Sequence, residues 1–133
     1  MIMEIFLGKN KCVEAHYKGH VIKTDQPAVA GGENSAPAPF DLFLASIGTC
    51  AGFYVKMFCE QRGVSTQNIR LEQIMHKNAE TRMIAEIEIR IYLPTDFPVQ
   101  YREAVVQAAN ACAVKKHIAT APEFSVKTFF NES

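Results

Sequence analysis

A chain of 133 residues, 48% hydrophobic and 21% charged, is long enough to bury a core without disulfide staples, and one domain over 1–133 is expected. Its 14 basic and 14 acidic residues cancel, so no net field favours nucleic acid or an anionic membrane, and neither is expected as a partner. The opening run Met1-Ile2-Met3-Glu4-Ile5-Phe6 has neither the basic region nor the apolar core of a signal peptide. The expected location is cytoplasmic, where cysteines stay free or redox-active.

Met1–Leu7 and Lys11–Tyr17 read as strands around a Gly8-Lys9-Asn10 turn, and Gly19-His20 leads into a third, Val21–Thr24. Residues 26–39, rich in Pro, Gly and Ala, form a loop. A helix then starts at Pro39, with Asp41 in its first turn, and runs to about Arg62 before Gly63. At 1.5 Å per residue it is about 33 Å long. Its weakly polar stretch, Leu42–Val55, counts 14 residues, short for a bilayer span and suited to a core helix. Two strands follow, Ile69–Lys77 and Met83–Leu93, with a turn near Asn78–Thr81. Beyond Pro94 and Pro98 a helix is expected over Val99–Ala113 and a short one over Lys115–Thr120, with a last strand, Ser125–Phe130, after Pro122. The order βββ–α–ββ–α–(α)–β reads as α+β, with antiparallel sheets wrapped around the long helix.

Chemistry points to the thiols. There is no phosphate loop, no Ser-His-Asp signature and no Cys-x-x-Cys, and His16, His20, His76 and His117 are scattered, so no metal and no cofactor is expected. Cys50 and Cys59 are nine residues apart on one helix, about 900° of rotation, and so face opposite ways. Cys59 and Cys12 read as buried spare thiols, Cys12 within a strand. Cys50 lies between Gly48 and Gly52, whose helix-interior cost of about 1 kcal/mol each suggests close approach of a backbone or ligand. Cys112 falls at the end of the Val99–Ala113 helix, before Lys115-Lys116-His117. Cations lower a thiol pKa and a helix C-terminus raises it, so the sign stays open.

At these residues the chain resembles the OsmC/Ohr family, the osmotically inducible and organic hydroperoxide resistance proteins. Gly31-Gly32-Glu33-Asn34-Ser35-Ala36-Pro37-Ala38-Pro39 looks like its glycine loop before a proline-started helix. Phe40 to Cys50 looks like its first-cysteine helix, and Ala111-Cys112-Ala113-Val114-Lys115-Lys116-His117 is similar to its second-cysteine segment. The resemblance implies an OsmC-like fold, an intertwined homodimer and thiol-dependent reduction of organic hydroperoxides. Cys50 and Cys112 would be the catalytic pair, Phe40, Asp41 and Phe43 would contact substrate, and a dithiol or lipoyl group would be the reductant. Two positions depart from the pattern. Phe40 stands where the family's peroxidases carry a glutamate, and no arginine precedes Arg62 to hold the thiolate. Without these partners Cys50 is expected to have a raised pKa. The other functions open to this chain are a non-catalytic module holding an apolar small molecule at the dimer interface, and a thiol sensor or structural dimer with inert cysteines.

Overall fold

In a computed structural model of the chain, residues 1–131 are described. They fall into two compact units, Met1–Ser46 and the chain from Ile47 onward.

The first unit holds an antiparallel sheet of β1 (Glu4–Leu7), β2 (Val13–Tyr17) and β3 (His20–Thr24), in that order. Its two turns use residues that tolerate positive φ. Asn10 takes φ 52°, and the two-residue turn Lys18-Gly19, at φ 51° and 80°, joins the paired Tyr17 and His20 with the twist a tight hairpin needs. Ile5, Ala15 and Ile22 lie opposite one another, as do Leu7, Val13 and Thr24, which gives the sheet one largely apolar face.

The long helix α1 (Pro39–Gln61) supplies residues to both units. It ends as its sequence demands. Gly63 is left-handed at φ 66°, and the Val64 N–H returns to the Cys59 carbonyl at 2.9 Å. By length and composition alone α1 could cross a bilayer. Its buried residues, Ile47, Ala51, Val55, Phe58 and Cys59, nonetheless repeat at helical spacing and form a single core-facing stripe.

In the second unit β4 (Arg70–Lys77) and β5 (Ile84–Tyr92) form an antiparallel hairpin. Asn78 makes its turn by accepting the N–H groups of Glu80 and Thr81 on Oδ1 at 2.8 and 3.0 Å. The core is Val55, Phe58, Cys59, Phe97 and Val105, with Leu71, Ile91 and Tyr101 packed around it. The Arg62 guanidinium lies 3.7 Å from the Phe58 ring centre and donates to the Phe58 carbonyl at 3.0 Å, so a cation covers the edge of this core.

Two expectations need correction. The helix expected over Val99–Ala113 is interrupted. It opens with a 3-10 turn at Val99–Tyr101, continues as α2 (Arg102–Asn110), and stops where Cys112 turns extended at φ −55°, ψ 128°. A separate helix α3 (Ala113–Ala119) follows. The last strand, Ser125–Phe130, does not form. That segment lies irregular and exposed, because a strand exists only where a neighbouring edge takes up its backbone groups. The remaining order, βββ–α–ββ–α–α, and the α+β class with antiparallel sheets and a long helix stand.

Candidate functional site: a paired thiol

Cys50 projects from α1 and is half-buried, while Cys112 is only 1% exposed. The break between α2 and α3 brings them together. Cys112 stands at the start of α3 instead of ending α2, so it faces the N–H end of a helix and not its carbonyl end. All four cysteines are free thiols.

The two sulfurs are close enough to perturb each other, in opposite directions. Burial pushes the Cys50 thiol up, but the N–H of Val114, the Cys112 thiol and the N–H of Ala113 together outweigh it, and its pKa is lowered. Cys112 is raised, first by burial and next by its contact with the Cys50 sulfur, against a smaller lowering from the Lys115 and Val114 N–H groups. Its sulfur approaches those two amides without closing a full side-chain cap. The expectation of a raised Cys50 pKa is therefore corrected. The lowering comes from main-chain amides of the first turn of α3 and from the Cys112 thiol. The two pKa values of the pair are thus displaced in opposite directions.

The glycines around Cys50 serve different purposes. A Cβ on Gly48 would meet the Gln73 Oε1 at 2.5 Å, so a side chain, not a backbone, makes the close approach. Gly52 faces open space. Phe40, Asp41 and Phe43 occupy the first turns of α1 and are exposed, with the two rings stacked at a tilt 5.6 Å apart. Cys59 is fully buried, and burial raises its pKa, ahead of an opposing effect of Arg62. Cys12 lies just before β2, not inside it. It is half-buried and 3.8 Å from the Ser35 hydroxyl, beside a cavity of about 380 Å³ also lined by Lys9 and Lys23.

Sequence reasoning missed Asp25. Its side chain is 1% exposed and organises the glycine loop. It accepts the Ser35 hydroxyl at 2.6 Å and the N–H groups of Gln26, Ser35 and Glu33 at 2.7, 3.0 and 3.3 Å. These bonds, led by that of the Ser35 hydroxyl, lower its pKa to about 2. The available signal was an aspartate at a strand end, ten residues before a serine, across a Gly-Gly turn.

Solved structures with this fold include a protein of Psychrobacter arcticus, described provisionally as an osmotic stress induced and detoxification response protein. It is 19% identical over 86% of this chain and 85% of its own, with a TM-score of 0.71. An OsmC-like protein of Mycoplasma pneumoniae is 10% identical over 90% and 87%, with a TM-score of 0.68. The organic hydroperoxide resistance protein OsmC of Legionella pneumophila is 21% identical over 88% and 87%, with a TM-score of 0.53. No curated protein matches by sequence. The family model of OsmC-like proteins matches residues 32–127, from the glycine loop through both helices of the thiol pair, and the chain belongs to that family.

Proposed function

We propose that this protein reduces organic hydroperoxides through Cys50 and Cys112. The observation that carries the reading is the contact between two free thiols, with the Cys112 thiol and the Val114 and Ala113 N–H groups bonded to the Cys50 sulfur, which lowers the Cys50 pKa while that of Cys112 is raised. A thiolate is the nucleophile that peroxide chemistry needs. Cys50 attacks the hydroperoxide oxygen, the O–O bond breaks, and the alkoxide leaves as an alcohol after taking up a proton. The Cys50 sulfenic acid then loses water as the Cys112 sulfur bonds to it. A small dithiol or lipoyl group restores both thiols by exchange and is itself oxidised. The compartment is a reducing one, the cytoplasm. The exposed Phe40–Phe43 pair, with Asp41 between, offers apolar contact for the organic part of the substrate.

The assembly is a homodimer. The uncovered apolar face of β1–β3 and the exposed Phe124, Val126, Phe129 and Phe130 support this reading, since surfaces of this kind are normally covered.

Intact-mass and peptide mapping after one equivalent of cumene hydroperoxide, against hydrogen peroxide and no oxidant, tests the chemistry. The expected result is rapid loss of two hydrogens, mapped to a Cys50–Cys112 disulfide and faster with the organic peroxide. A Cys50 thiol that stays free after prolonged exposure overturns it. The open space beside Gly52 and the exposed phenylalanines then favour a binding module for an apolar small molecule, recognised by saturable binding that survives Cys50→Ser.

A further inference from the structure

Helix α3 hangs from the residue in front of it. None of its seven residues is buried, whereas Cys112, immediately before it, is 1% exposed. The Cys112 carbonyl accepts the Lys116 N–H at 3.1 Å, the first helical bond of α3, and no side chain closes the cap. So short a helix has no stability of its own. It persists while Cys112 is seated, and beyond it residues 121–131 are irregular and exposed.

We infer that joining Cys50 to Cys112 unseats α3, so that residues 113–131 are a redox-responsive arm. The inference rests on the proposed function only in needing these two sulfurs to bond. In that step two S–H bonds break and one S–S bond forms, and the two electrons and two protons reduce an organic hydroperoxide to alcohol and water. Bonded sulfurs sit about 2 Å apart, against roughly 3.5–4 Å for atoms merely in contact. Cys50 belongs to a helix anchored by five buried residues, so the movement falls on the non-helical residues Ala111 and Cys112. The disulfide also ends the thiolate's acceptance of the Ala113 and Val114 N–H groups.

Hydrogen exchange and limited trypsin digestion of the full chain, reduced and after cumene hydroperoxide, provide the test. Loss of one hydrogen bond worth about 1 kcal/mol, here that of the Lys116 N–H to the Cys112 carbonyl, loosens a helix by about five-fold. We expect amides of residues 113–120 to exchange about that much faster in the disulfide form, and trypsin to cut sooner after Lys115 and Lys116. Cys50→Ser given the same oxidant should show no change. If the hydroperoxide leaves both thiols free, diamide, an azo oxidant that itself takes up the two electrons and two protons, forms the bond, and the exchange is read on that species. Unchanged or slower exchange in either disulfide form overturns the inference, and where the hydroperoxide itself formed that disulfide its chemistry stands. Failure of both oxidants to join the sulfurs overturns both.

Discussion

Gly32 leaves no room for a side chain. A Cβ there would lie 2.0 Å from the Gln26 carbonyl oxygen and 2.8 Å from the Asp25 Oδ1, and the backbone oxygen cannot move without opening the loop. Gly32→Ala should therefore cost about 1–3 kcal/mol, read as a Tm several degrees lower. Asp25 adds a pH dependence whose sign is fixed. Its folded pKa, about 2, lies below the ordinary 3.8, so its stabilisation is complete above pH 4 and is lost as pH falls toward 2. Melts from pH 5 to pH 2 should show this loss in the native protein and less of it in Asp25→Asn. Gly52 behaves oppositely to Gly32. With nothing near its Cβ position, Gly52→Ala should gain up to about 1 kcal/mol of helix stability. A loss instead would show that a second copy or a ligand occupies that space.

The break between α2 and α3 is the element on which the thiol chemistry depends. Cys112 already has the extended backbone that a following proline requires, and the first position of a helix accepts proline readily. Ala113→Pro should thus keep α3 while deleting one amide that holds the Cys50 thiolate. Iodoacetamide labelling against pH should show the Cys50 midpoint rise and its rate near neutrality fall a few-fold, with a smaller change at Cys112. An unchanged midpoint would show that Ala113 contributes nothing. This element was also the least legible one. Ala108 to Ala113 is continuous in helix-compatible residues, apart from one asparagine, and nothing in it announces an interruption. By contrast, the strict alternation of Ala85–Ile91, the Gly63 stop and Asn78 wrote their elements openly, since each acts through local backbone chemistry.

For the molecule as a whole, legibility ended where distant segments had to meet. Cys50 and Cys112 were named from the resemblance, but the amides of Ala113 and Val114 on the Cys50 sulfur had no sequence signal, because every residue carries an amide. The final strand failed for the opposite reason. Ser125–Phe130 has the β-forming composition but pairs with no strand edge. The apolar sheet face makes the same demand for a partner. Ile5→Glu with Ile22→Glu should shift the protein toward monomer in sedimentation velocity while leaving the far-UV spectrum unchanged. An unaltered sedimentation coefficient would place any self-association elsewhere.

Cys59 sits at the centre of the second unit's core with no exposed surface. A reagent reaches it only when that core opens, whereas Cys50 is reached in the folded molecule. The protein therefore contains its own clock for core opening. Once Cys50 and Cys12 have been blocked, the slow appearance of labelled Cys59 measures how often that core opens, with no substitution in the sequence.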